Sequence, residues 1–154
     1  MRLVRAADSI GDEDMTEDLA RRAVACPGWR WMPGMLIQTV GGPTDRIAGI
    51  DSTFIHAWAE SQQTENPRGM WIRYRLDRMN KHGVPDLTDP ATVGALLALV
   101  REAWGDPYMT VDYWRGPRVW TCKSDEVHSM GVCRRAPKGG TEAAALVAAL
   151  EAAP

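Results

Sequence analysis

The sequence is poor in the residues that usually announce chemistry. It holds three cysteines, Cys26, Cys122 and Cys133, with no CxxC pair among them. That excludes the common zinc ribbons and fits reduced thiols better than a disulfide scaffold. There is no GxSxG elbow, and Gly41-Gly42-Pro43 lacks the Lys-Ser/Thr that a phosphate loop needs, so a hairpin turn explains those glycines. No apolar run approaches the ~20 residues that span a bilayer. Residues 1–14 carry Arg2, Arg5 and four acids where a signal peptide would have an apolar core. A soluble, cytoplasmic protein is the expectation. Nor is there a surplus of positive charge: 18 Lys+Arg stand against 20 Asp+Glu, a net of −2, so any nucleic-acid or nucleotide site has to be local. Phenylalanine is nearly missing too, with one residue against seven tryptophans. Trp joins a large apolar body to an N–H that wants a partner, so several are expected half-buried at a ligand or partner surface.

What is present is organised around residues 85–106, PDLTDPATVGALLALVREAWGD. Thr88 or Asp89 can cap a helix, because a short side-chain oxygen accepts from the free N–H groups of the first turn, and Pro90 suits a position that needs no N–H. Val93, Leu96, Leu97, Val100 and Trp104 recur at helical spacing and form one apolar stripe. Gly105 and Pro107 end the helix. Gly94, inside it, costs on the order of 1 kcal/mol against Ala and suggests close approach of another element.

Residues 1–14 show no sustained period and read as a loose tail, with residues 15–154 forming a single α+β domain. From Thr16 a short helix presents Met15, Leu19, Ala23 and Cys26 on one side, and Pro27-Gly28 ends it. MLIQTV and RIAGID flank a GGPTD turn as a hairpin. In residues 51–68, Phe54, Ile55 and Trp58 have helical spacing and the polar SQQTENP follows, so a helical turn and then an insertion are expected. GMWIRYRLDR alternates, with Ile72, Tyr74 and Leu76 on one face and Trp71, Arg73 and Arg75 on the other. After the central helix, YMTVDYW, RVWTCK and VHSMGVCRRA read as a three-stranded meander, and Thr141 caps a last helix with Leu146, Val147 and Leu150 as its buried edge. The fold class expected is α+β: an antiparallel β-sheet with packed helices, in the order helix, hairpin, strand, central helix, three-stranded meander, C-terminal helix.

The Arg-rich strand carries the best candidate site. Arg68, Arg73, Arg75, Arg78, Lys81 and His82 fall in one short stretch beside Trp71 and Tyr74. A guanidinium grips a phosphate with two N–H groups while an aromatic ring stacks on a base, which suits a nucleotide, a short nucleic acid or an acidic protein patch. The competing reading is a solvated strand face whose arginines pair with Asp77, Asp86 and Asp89. Cys122, His128 and Cys133 give C-x5-H-x4-C, with Cys26 as a fourth ligand, a spacing that matches no common zinc site. Asp51, Asp112, Asp125 and Glu126 lack a motif that would bring them together around magnesium. No catalytic residue, metal site or cofactor is therefore assigned.

The central-helix segment, together with GWRWMPGM and GGTEAAALVAALEAAP, resembles the small hypothetical proteins of tailed phages grouped as the phage ABA-sandwich type. In that family a Trp-containing segment follows a short first helix, a Pro-x-[Tyr/Leu]-[Ser/Thr]-x-Asp-like cap opens a central helix, and a Thr-Glu-Ala helix closes the chain. Residues 28–35, 85–104 and 141–150 correspond to these, and the resemblance covers most of residues 15–154. Residues 51–80 are longer and more Arg-rich than the family pattern. The resemblance implies phage origin, and hence the host-cell cytoplasm, but brings no catalytic residues with it. The function expected is a phage-encoded, non-enzymatic counter-defence protein that sequesters a nucleotide immune signal or blocks a host nucleic-acid-targeting defence complex. Trp71, Arg73, Arg75 and Arg78 would bind the ligand, with Trp29 and Trp31 as stacking partners. A homo-oligomer fits such a site, since pockets of this kind are often built between subunits. Two alternatives stand beside it: a protein-interaction module with a Trp-rich hot spot, and a small metal-dependent hydrolase or nuclease.

Overall fold

Cap chemistry and side-chain alternation account for most of the architecture. The computed structural model describes residues 10–38, 44–59, 71–114, 119–123 and 140–154, and the side chains of all of these except residues 10–14, 59, 114, 119–121 and 123. Within them the order is α1 (Ile10–Ala25), β1 (Leu36–Gln38), β2 (Thr44–Ile50), β3 (Phe54–Ala59), β4 (Trp71–Arg75), α2 (Leu76–His82), β5 (Val84–Pro85), α3 (Pro90–Trp104), β6 (Thr110–Trp114), β7 (Val119–Lys123) and α4 (Glu142–Glu151). Four helices accompany a five-stranded antiparallel sheet of order β4-β3-β2-β1-β5, and β6 and β7 form a separate antiparallel pair. The α+β class expected from the sequence is the one observed.

The central helix α3 starts and stops where its signals lie. Asp89 caps it by accepting from the Thr92 N–H at 2.8 Å, and Gly105 at φ 63° turns the chain out while the Asp106 N–H donates to the Arg101 carbonyl at 2.9 Å. The fully buried residues of α3 are Thr92, Leu96, Leu99 and Val100. The covered stripe is thus rotated from the expected one, since Val93, Leu97 and Trp104 are only partly buried and Leu99 takes the interior. The reason is the neighbour: α3 packs against α4, and the Trp104 indole N–H donates to the Ala149 carbonyl at 2.9 Å, which holds that ring at the rim. Gly94 is exposed, with open space where a side chain would stand, so no element approaches it and the expected close contact is absent.

Helix α4, capped by the Thr141 hydroxyl at the Ala144 N–H, is buried well beyond one edge: Ala143, Ala145, Leu146, Val147, Ala149 and Leu150 are all interior. It touches α1, α3, β6 and β7. Each buried leucine or valine there contributes about 1.5–3 kcal/mol, so this helix is a central prop of the core. Cys26 and Cys122 are both buried. Cys26 donates to the Arg22 carbonyl, Cys122 to that of Ala145, and burial pushes the Cys26 thiol above its ordinary range.

Four local expectations change. Helix α1 begins at Ile10, so the chain turns helical before Thr16 and inside the stretch read as tail, and Met15 is 69 % exposed where a buried position was expected. Residues 54–59 form strand β3 where a helical turn was expected, because both neighbours, β2 and β4, offer it a ladder. The strand read through Arg78 stops at Arg75, where the chain turns directly into α2 with Met79 as its buried residue. Val84 and Pro85 then pair with Gln38 and Ile37, adding β5 to what looked like a connection. The insertion expected after residue 60 and the third meander strand lie outside the described residues.

Candidate functional site

The alternation of β3 and β4 creates the face of interest. Their antiparallel register sets Trp58 opposite Trp71, His56 opposite Arg73 and Phe54 opposite Arg75. Residues directly opposite share a face of the sheet. The intervening residues point to the core: Ile55 and Ala57 are fully buried, and Ile72 and Tyr74 are partly so. Strand β2 extends the outer rows, with Arg46 opposite Trp58 and Gly49 opposite His56. The outer face therefore carries three aromatic rings, one histidine and three arginines from three adjacent strands.

Trp71 is 62 % exposed and Trp58 39 % exposed. Their rings meet edge to face, centroids 5.1 Å apart and planes at 79°, the arrangement that the aromatic quadrupole favours. One Trp is thus propped by the other and still shows a flat face to solvent. In the next row the Arg73 guanidinium carbon lies 5.1 Å from the centre of the Phe54 ring, a cation over an aromatic face.

The other basic side chains of the face are tied to carboxylates. Arg75 donates from Nε and Nη2 to the two oxygens of Asp77 at 3.0 and 3.2 Å. The Arg75 guanidinium holds the Asp77 carboxyl below the usual carboxylate range. His56 Nε2 lies 2.8 Å from Asp51 Oδ2, while Asp51 Oδ1 accepts from the Thr53 and Phe54 N–H groups at 2.7 Å each. The histidine contact first, and the two N–H donors after it, lower Asp51 to about 2. Arg46 bridges Asp89 at 3.1 and 3.2 Å and donates to the Gly34 carbonyl at 2.8 Å. Burial pushes Asp89 upward, but Arg46 and Thr92 together outweigh it and hold the carboxyl low. The same Thr92 hydroxyl donates to Asp89 and accepts from the Leu36 N–H, so the cap of α3 clamps β1 and β2. Among the described residues no carboxylate lies within ion-pair distance of Arg73.

The residues singled out in the sequence divide here. Trp71, Arg73 and Arg75 do share the exposed strand face. Arg78 is exposed but stands on α2, outside the strand register. Trp31 is 4 % exposed and belongs to the core, beside Gly83, so it offers no stacking surface. Its ring meets Trp29 edge to face at 5.5 Å. Trp29, partly buried, lines a different cleft of about 290 Å³ with Pro27, Gly28, Arg30, Leu99, Glu102 and Ala103, where Arg30 and Glu102 form a two-pronged ion pair. Trp31 sits in the core cluster and Trp29 packs against it. Of the pairing partners proposed for the arginines, Asp77 takes Arg75 and Asp89 takes Arg46.

Trp58, Phe54 and His56 were missed, and Asp51 was weighed only as a magnesium ligand. The signal was present in FIHAWA, where Phe54, His56 and Trp58 alternate with Ile55 and Ala57 at the period of a strand. No group of three His, Cys, Asp or Glu residues able to hold a metal ion occurs among the described residues, and His128, Cys133, Asp125 and Glu126 lie outside them. Nor is any helix of the described residues long and apolar enough to cross a membrane. Comparison of the chain with protein-family models, curated proteins and solved structures finds no match, so the outer face has to be understood from its own residues.

Proposed function

We propose that this is a non-enzymatic binding protein whose outer β2-β3-β4 face takes a nucleotide, with the base stacked on Trp71 against Trp58 and a phosphate gripped by Arg73. The observation that carries the reading is the exposed Trp58–Trp71 pair with Arg73 in the adjacent row. Base–aromatic stacking contributes about 1–3 kcal/mol per base, and a guanidinium adds a planar, two-pronged contact to phosphate. The biological setting follows from the resemblance of residues 28–35, 85–104 and 141–150 to tailed-phage proteins: a phage-encoded counter-defence protein acting in the host cytoplasm. There it sequesters a nucleotide immune signal or blocks a host complex that targets nucleic acid.

Native mass spectrometry of the purified chain with a panel of cyclic and linear nucleotides at moderate salt tests this. A stoichiometric adduct, lost in an Arg73→Ala, Arg75→Ala double variant, is the expected result. Binding left intact in that variant contradicts the assignment of the face.

A second reading is favoured by one observation. Arg46, His56 and Arg75 each already face a carboxylate of the same chain, and an aromatic centre ringed by self-paired charges also suits a protein hot spot. Salt separates the two. Binding that rests on Arg73 weakens as salt is added, whereas an apolar Trp contact holds or tightens.

A further inference from the structure

Building on the nucleotide reading, we infer that the face selects a nucleotide with a single phosphodiester charge over a polyphosphate, and that Asp77 and Asp51 set this selectivity. The argument is one of local charge. Of the four basic side chains on the face, Arg46 is held by Asp89, Arg75 by Asp77 and His56 by Asp51, which leaves Arg73 with only the Phe54 ring among the described residues. Among the described residues the face thus has one of its three guanidiniums to give to a phosphate.

Position sharpens the point. His56 lies directly across from Arg73, and Arg75 is two residues along the same strand, about 7 Å away at strand spacing. Their carboxylates are therefore close neighbours of any phosphate on Arg73, and both are open to solvent, with side-chain exposures of 51 % for Asp51 and 61 % for Asp77. One phosphodiester beside the Trp58–Trp71 pair meets Arg73 alone. A triphosphate extends two further anionic groups toward Asp51 or Asp77, and like charges at these separations repel even when partly screened. The two acids occupy the contacts that a second and third phosphate would need.

The same chemistry is offered by a cyclic mononucleotide and by one linkage of a nucleic-acid strand, so the test includes both. Isothermal titration of the full chain compares, for adenine, guanine and uracil, the nucleoside, the 3′,5′-cyclic monophosphate, the 5′-triphosphate and a dinucleoside monophosphate. For the base that binds, the expectation is that the cyclic monophosphate exceeds both the nucleoside and the triphosphate by about tenfold, an electrostatic difference of about 1.4 kcal/mol. A dinucleoside monophosphate that matches the cyclic compound assigns the phosphodiester to a strand, and one that fails to bind assigns it to a free cyclic nucleotide. In an Asp77→Asn variant Arg75 is released, and the triphosphate should gain about tenfold on the cyclic compound. Asp51→Asn should move the ratio the same way. A triphosphate that binds the unaltered protein best, or a ratio unmoved in both variants, overturns the inference while leaving the nucleotide site standing. No binding of any compound removes the nucleotide reading itself.

Discussion

The two faces of the five-stranded sheet are built from the same strands and do opposite things with them. On the inner face Ile37, Ile47, Ile55 and Ala57 are almost completely buried, and the Tyr74 hydroxyl donates to the buried carboxylate of Asp45. Burial first, and then Asp45, push the Tyr74 phenol well above its usual range. On the outer face, Trp58 and Trp71 stay exposed, and the charges beside them are held in pairs by Asp51, Asp77 and Asp89. What the contrast teaches is where stability and binding reside. An interior isoleucine contributes by leaving water, whereas an exposed Trp beside a guanidinium contributes little until something covers it.

Substitutions ranked by their effect on stability can break this contrast. Ile55→Ala removes a buried side chain from the inner face and should cost about 3 kcal/mol, read as a lower urea midpoint. Asp89→Ala comes next at about 2 kcal/mol, since it removes the cap of α3 and breaks that residue's ion pair with Arg46. Trp71→Ala should cost less than about 1 kcal/mol in the same denaturation experiment, yet abolish nucleotide binding. A Trp71 variant that unfolds as readily as the Ile55 variant would mean that the outer face is structural after all.

The smallest effect concerns Asp51. Its folded-state value, about 2, lies below that of an unfolded aspartate, which titrates near 3.9. The folded form is therefore favoured by the ionised carboxylate at pH above about 4, and that contribution is lost as the pH falls toward 2. A side-chain carboxyl titration by NMR should place the Asp51 midpoint near 2, and His56→Ala should move it upward toward the ordinary carboxylate range. An unchanged midpoint would separate the two side chains.

Elements with end signals were legible in the sequence. Asp89, Pro90 and Gly105 mark α3, Thr141 marks α4, and the alternation of Trp71, Arg73 and Arg75 against Ile72 and Tyr74 marks β4. Those signals act within a few residues, so they survive without tertiary context. Strand β3 was not legible because Phe54, Ile55 and Trp58 also match a helical period, and only the ladders to β2 and β4 decide between the two. For the same reason β5 is invisible: it is two residues long and exists through its pairing with β1. Half of the outer face followed β3 out of view, since Trp58, Phe54 and His56 ride on that strand. Trp31 was misplaced for a related reason, as the neighbours that bury it include Gly83, far along the chain.

The most direct test is to follow the indole N–H resonances by ¹H–¹⁵N NMR while the protein is titrated with a 3′,5′-cyclic mononucleotide. Trp58 and Trp71 should shift and broaden together, and both changes should vanish in Arg73→Ala. Trp31, in the core, and Trp104, bonded to the Ala149 carbonyl, should stay in place. Shifts confined to Trp29 and its neighbours, with Trp58 and Trp71 still, would contradict the account and move the site to the cleft beside α3.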